Sequence, residues 1–323
     1  MSAKGASTKD NVVSIGLSAA IVAVEGEQPS VLVVSHDGSA DALPFGPFDP
    51  AHDRTLELGL RKWVGEQTRF DLGYTEQLYT FGDKGRHLPS SGLAAARASR
   101  VVSVGYLALT RQVKEASETQ WRGWYHYFPW EDWRDAKPVM IDSVILPALR
   151  KFVKDAPNSE TADQRRERVN VCFGEGWDEE RVLERYELLY EAGLVEEFHR
   201  DAGKPPKEPA LGTPMLFDHR RILATAIARL RGKLKYRPVV FELMAPAFTL
   251  LELQRAVEAL AGLRIHKQNF RRLVAEQGLV EGTGKFSAPS RGRPAELFRF
   301  RREVLRERQA PGVRLGQRRP KSG

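Results

Sequence analysis

Between Asp218 and Phe300 the chain carries three helical patterns and a paired strand pattern, each with its own stop signal, and few folds accept that order. Ile222, Leu223, Ala226, Ile227, Leu230 and Leu234 recur at i, i+3/i+4 spacing, which predicts a first helix with an apolar stripe on a core. Thr249-Leu250-Leu251-Glu252 has the spacing of a capping box and opens a second helix with Leu250, Leu253, Val257 and Leu260 inward. Gly262 ends that helix, and a turn through Arg264 and Ile265 leads to a third, about Lys267 to Gln277, closed by Gly278. Leu279-Val280-Glu281, a turn at Gly282-Thr283-Gly284 and a strand from Glu296 to Phe300 then make a hairpin. Three helices followed by such a hairpin form the pattern of a winged helix-turn-helix.

The third helix has two chemistries. Phe270, Leu273 and Val274 fall on its inner face, whereas Lys267, Gln268, Arg271, Arg272 and Ala275 fall outside. Long basic and amide side chains are the ones that reach base edges and phosphates in a major groove. The candidate duplex contacts are therefore Lys267, Gln268, Asn269, Arg271 and Arg272 on the helix, with Lys285, Arg291 and Arg293 in the hairpin loop. Charge points the same way. The formal net charge is +8, yet Arg264 to Gly323 alone carries 16 Lys/Arg against 5 Asp/Glu, so the remainder is slightly acidic. Such asymmetry fits a polyanion-binding end. A solvated basic tail, an RNA partner or a protein-contact role for the winged helix are the competing readings.

The front half reads differently. Val12–Val24 is too short for the roughly 20 apolar residues that span a bilayer, and no Ala-x-Ala cleavage site follows it. A turn at Glu25–Ser30 and a second apolar run, Val31–Ser35, make it a hairpin. Further strands at Glu76–Phe81 and Val101–Leu109 and a helix at Leu56–Glu66 predict an α+β domain with a mixed sheet. Gly82 to Ser99 reads as a long loop. Trp121, Trp124, Trp130 and Trp133, with Tyr125, Tyr127 and Phe128 between them, complete the first core or else form a stacking or dimer surface. Ser143–Val153 reads as a helix, Asp155–Arg168 as a polar linker, Asp178–Gly193 as a capped helix, and Ala202–Pro214, rich in proline, as a linker. Glu191–Glu196 and Glu276–Glu281 share one helix-stop-strand grammar. The lone Cys172 excludes an internal disulfide and fits a reducing cytoplasm.

Arg61-Lys62-Trp63-Val64-Gly65-Glu66 looks like a metal site with ligands removed. A Nudix hydrolase carries Arg-Glu-U-x-Glu-Glu, whose helical spacing gathers carboxylates on one face to hold hard divalent cations against a diphosphate. Here Lys62 and Gly65 replace two of those carboxylates, leaving Arg61 and Glu66. With Leu43–Asp49, Glu76–Asp83, Gly85-Arg86, Arg100–Leu109, Leu230–Tyr236, Phe241–Leu243, Phe248–Gln254, Asn269–Arg272, Gly292–Ala295 and Leu297–Phe300, the chain resembles the Nudix-related transcriptional regulators of NAD metabolism, closest to their alphaproteobacterial branch. Phe45 stands where the hydrolases have Gly.

That resemblance implies a Nudix-like α/β/α sandwich at 12–155, a helical connector at 156–215 and a winged helix at 216–304, between a disordered 1–11 and a basic tail at 305–323. It implies a repressor, homodimeric and cytoplasmic, that binds double-stranded operator DNA and senses ADP-ribose or another NAD-derived nucleotide. No catalytic residue, metal, cofactor or membrane contact is expected. Candidate effector contacts are Phe81, Asp83, Arg86 and Arg100, the arginines for a diphosphate and the aromatic for adenine. The alternative is an active pyrophosphatase in which Asp53, Glu57 and Glu66 gather magnesium.

Overall fold

The long run beginning at Val13 is apolar on both faces because both faces are covered, as in the interior of a layered sheet. The computed structural model describes residues 13–34, 40–68, 72–83, 100–111, 119–205, 211–287 and 294–304. Strand β1 (Val13–Glu25) sits at the centre of a mixed sheet ordered β4-β5-β1-β2-β6. Here β2 is Gln28–Val34, β4 is Tyr74–Phe81, β5 is Arg100–Leu109 and β6 is Thr119–Gly123. β1 runs parallel to β5, from Val13 opposite Arg100 to Val22 opposite Leu109. Its first half also takes the short antiparallel strand β3 (Phe45–Pro47).

Strand alternation divides the molecule into two cores. Leu17, Ala19 and Ile21 join Leu32, Val104, Tyr106 and Ala108 beneath Leu60 and Val64 of helix α1 (Leu56–Thr68). Ala20 and Val22 join Val31, Val33, Leu107 and Leu109 on the opposite face. There they meet Ile222 and Leu223 of α6 (His219–Leu234) and Leu253 and Val257 of α7 (Leu250–Ala261). The expected α/β/α layering is present, but its second layer comes from the C-terminal half of the chain. α6 shows why: Ile222, Leu223, Ala226, Ile227, Leu230 and Leu234 are all buried as the stripe requires, and so are His219, Arg220, Ala224 and Arg231 on its other sides. A helix buried all round is a central strut, not a surface helix.

Between sheet and winged helix lie α2 (Leu146–Lys154), α3 (Ser159–Phe173), α4 (Val182–Glu191) and α5 (Glu196–Asp201). Trp124, Tyr127, Phe128 and Trp130 are fully buried, so this aromatic cluster belongs to the core.

Several sequence expectations change. The hairpin turn is only Gly26-Glu27, with Gly26 at φ +59° and Gln28 already opposite Glu25, so the six-residue turn shrinks to two. Asp155–Arg168 is not a linker: α3 runs through it, started by Asn158 accepting from the Thr161 amide at 2.8 Å. Its solvent-facing turns are polar, which hid the helix, and only Cys172 and Phe173 are buried. Burial pushes the Cys172 thiol up to about 11. Asp178 bonds the Glu180 amide at 3.0 Å in a turn, and α4 begins four residues later. The stretch before Leu146 is a wide π-type turn, Ile141–Ile145. The two shared stop motifs part company: Gly193 and Gly278 both have positive φ, but a helix follows the first and a strand the second.

The aromatic turn, the connector and α6 are joined by buried ions. Glu131, 1% exposed, accepts from Arg185 at 2.6 and 2.8 Å and from Arg231 at 2.7 Å. Glu197 bonds Arg220 at 3.1 Å and the Met215 amide at 3.1 Å. Removing the shared anion strands two guanidiniums without water. Glu131→Ala should lower unfolding free energy by about 3–5 kcal/mol in urea denaturation, and a loss below about 1 kcal/mol would show that the arginines find other partners.

Candidate nucleic-acid interface and nucleotide site

The recognition surface is assembled by local rules. Phe248 exchanges backbone bonds with Phe298 at 3.0 and 2.8 Å, tying the entrance of α7 to the hairpin. Thr249 and Glu252 form the reciprocal capping box, at 2.6 and 3.2 Å. Gly262, at φ +72°, ends α7 in the left-handed region that suits glycine. The turn after it is pinned from α7: Glu258 accepts from the Ile265 amide at 2.9 Å, and Gln254 donates to the Ile265 carbonyl at 2.9 Å. α8 (Lys267–Gln277) follows, stopped by Gly278 at φ +55°.

Within α8, Phe270 and Val274 are buried, while Lys267, Gln268, Asn269, Arg271 and Arg272 are all exposed. Arg272 reaches Glu276 only at 3.8 Å, and among the described residues Lys267 and Arg271 enter no ion pair. The basic side chains stand at the helix N-terminal half, where free amides add to the positive field. The hairpin pairs β7 (Val280–Phe286) with β8 (Glu296–Phe300). The expected turn at Gly282–Gly284 lies inside β7, where a bulge between Gly282 and Phe286 absorbs Gly284 at φ +70°. Lys285 is exposed on the wing, and Arg291 and Arg293 lie outside the described residues.

The end of α7 is held by residues that sequence spacing did not single out. Tyr125 donates to the Ala259 carbonyl at 2.6 Å, Arg231 to Leu260 at 2.9 Å, and the Trp133 amide to Gly262 at 2.8 Å. These are the carbonyls a helix C-terminus leaves unpaired. Arg264, in the turn, donates to Glu27 of the sheet hairpin at 2.7 Å and to Glu258 at 3.1 Å. The Arg264 guanidinium holds the Glu27 carboxyl below its usual range. The turn before α8 is thus fixed to both the sheet hairpin and α7. The only sequence hint was arginine in a helix otherwise built for burial.

In the front half, Arg61 donates to Glu57 at 3.0 and 2.9 Å, to Thr75 at 2.9 Å, and to the Leu72 and Gly73 carbonyls. It stitches α1 to the start of β4. Glu57 also accepts from Thr75 at 2.8 Å, and Thr75 and Arg61 together hold its carboxyl below the usual range. Trp63 donates to the Pro47 carbonyl at 2.7 Å and lies so close over Gly46 that a Cβ there would collide with its ring. Gln67 bonds both backbone atoms of Phe45, at 3.3 and 2.7 Å. Lys62 and Glu66 are exposed, and Gly65 borders open space. Asp53 accepts from the Asp49 amide at 3.0 Å. These residues do not fit a magnesium cage: Glu57 is engaged by Arg61 and Thr75, and the exposed Lys62 on the same helix is cationic. Among the described residues, no three His, Cys, Asp or Glu gather to hold a metal, so Asp53, Glu57 and Glu66 do not converge.

The expected effector contacts fare unevenly. Phe81 is 4% exposed, with the Arg221 guanidinium 5.3 Å from its ring centre, so it offers no open face for adenine. Gly105 and the aliphatic core close in on the ring from behind, which the strand pattern alone did not reveal. Asp83 is exposed and ion-paired to Arg221 of α6. Arg86 and the Arg100 side chain lie outside the described residues.

Residues 240–300 match the NrtR DNA-binding winged helix domain family. The C-terminal module is a winged helix similar to that of the NrtR family. The ADPR responsive transcriptional repressor NtrR of Acinetobacter baylyi is 42% identical over 93 residues, which are 29% of this chain and only 37% of that protein. The crystal structure of Shewanella oneidensis NrtR complexed with a 27mer DNA superposes with a TM-score of 0.52 at 22% identity, covering 90% of this chain and 95% of that one. A MutT/nudix family protein from Enterococcus faecalis gives 0.50 at 16% identity, covering 90% and 87%. Across its length the chain therefore has the fold of a Nudix-type sheet domain joined to a winged helix.

The two faces of α8 in the winged helix separate by mutation. Phe270→Ala should cost about 3–5 kcal/mol and Gln268→Ala less than about 0.5 kcal/mol in chemical denaturation. Equal costs would mean the helix is turned on its axis.

Proposed function

We propose that this protein is a ligand-responsive transcriptional repressor of NAD biosynthesis or salvage genes, acting as a cytoplasmic homodimer on double-stranded operator DNA. The observation that carries the reading is the α8 face: Lys267, Gln268, Asn269, Arg271 and Arg272 are exposed together on a helix anchored by Phe270 and Val274, within a winged helix similar to that of the NrtR family. Lys285, with Arg291 and Arg293 in the wing segment, adds phosphate and minor-groove contacts. The sheet domain senses the effector, ADP-ribose or a related NAD-derived nucleotide, in keeping with the ADPR response named for the Acinetobacter relative. Asp83, Arg86 and Arg100 remain the candidate polar contacts, with Phe81 as a buried support. Effector binding favours the arrangement that fits the operator less well, a population shift between two states.

Direct measurements test this. Arg271→Ala should weaken operator binding and reduce the slope of log K against log salt by about 0.9 in fluorescence anisotropy, and ADP-ribose should lower the wild-type affinity. An unaltered slope would remove Arg271 from the interface. An affinity indifferent to ADP-ribose would remove that effector.

The same reading excludes useful hydrolysis. Arg61 and Glu57 serve as a structural pair, and Lys62 and Gly65 supply no anionic ligand. ADP-ribose incubated with the protein and magnesium should turn over more slowly than about 1 per second, the low end of ordinary enzymes. Faster release of AMP would make the protein an enzyme with an appended DNA-binding module.

A further inference from the structure

The wing carries a side chain that neither its charge nor its packing explains. Phe286, the last residue of β7, is 63% exposed. Along the hairpin, Phe300 stacks on Phe241 at 4.4 Å and Phe298 pairs with Phe248, so the root of the wing is anchored in the core. Phe286 stands beyond that anchor, opposite Glu296. Two of the four residues before it on its own strand are glycines, Gly282 and Gly284, which offer no side chain to cover the ring. The bulge sets five residues of β7, Gly282 to Phe286, against three of β8, Glu296 to Phe298, and such a bulge bends the strand just before the ring. An exposed phenylalanine has a solvation cost that a serine or lysine there would avoid.

Charge complementarity selects the occupant. Lys285 adjoins the ring and is exposed, the α8 face of the same module is cationic, and the last sixty residues hold the chain's excess positive charge. An apolar ring next to Lys285 at the edge of a cationic module, with Glu296 across the hairpin, matches the minor groove of duplex DNA, where phosphates line the rim and sugars and base edges form the floor; minor-groove proteins insert apolar wedges there. We propose that Phe286 is such a wedge, packing on the minor-groove sugars and base edges beside the site that α8 occupies. The inference rests on the reading of this module as DNA-binding and adds a contact that charge counting omits.

The test uses the full chain and a duplex that the wild-type protein enriches from a randomised pool. Phe286→Ala should bind about 10-fold more weakly, the scale of one lost base–aromatic contact, by the same factor at every salt concentration. Its salt slope should be unchanged, because no phosphate contact is lost. Hydroxyl-radical cleavage should show minor-groove sugars protected by wild type and exposed with Phe286→Ala, while Phe286→Leu restores part of the protection. Wild-type affinity and protection in Phe286→Ala, alongside weakened Arg271→Ala, would overturn the wedge alone. Loss of a dimer in sedimentation with the DNA footprint intact would overturn it in favour of self-association. If the wild type enriches no duplex, the DNA-binding reading falls and the wedge with it.

Discussion

The carboxylate of Glu131 is shared by two guanidiniums, and all three side chains are out of water. Buried charges persist only when paired and fully bonded, since an isolated one costs several kcal/mol. Arg185 comes from α4, Arg231 from α6 and Glu131 from the aromatic turn, so satisfying the ions brings three distant segments to one point. Arg231 also donates its Nε–H to the Leu260 carbonyl of α7. The orientation of α8 follows from this, because only a short, glycine-started turn separates it from that carbonyl. On the sheet side Glu27 and Arg264 form a second, partly exposed link. A displacement of the sheet therefore has a short path to the recognition helix.

At the other end of the molecule, α1 lies on the sheet and its polar groups hold protein. Arg61 and Glu57 fasten it to β4, while Trp63 and Gln67 fasten it to β3. Phe45, held by Gln67, contacts Phe217 and His219 at ring separations of 5.3 and 5.1 Å, at the very start of α6. Phe217 has φ +52°, a conformation that costs a non-glycine residue energy and persists where packing enforces it. Strand β3 and the central strut thus meet at one aromatic cluster.

Much of this was legible beforehand. The capping box, the glycine stops and the two faces of α8 obey rules that act within a few residues, and each appears where the spacing put it. The strands of the sheet were recognisable because β-branched runs declare themselves, although their ends moved by up to three residues. The helix α3 was missed because its exposed turns are polar and its apolar contacts come only at its last residues. The turn inside β7 was misplaced because two glycines mark a bulge as readily as a reversal.

The sequence alone determined local form and surface chemistry: which segments coil, where they stop, and that the last fifth is cationic. These are consequences of side-chain type and short spacing. Tertiary structure alone decided that Phe81 lies under Arg221, that Asp83 pairs with α6, that α6 and α7 close the open face of the sheet, and that Glu131 meets Arg231 a hundred residues away. Contacts across such distances are chosen by how the layers stack and by the need to pair every buried charge, and no local periodicity records that choice.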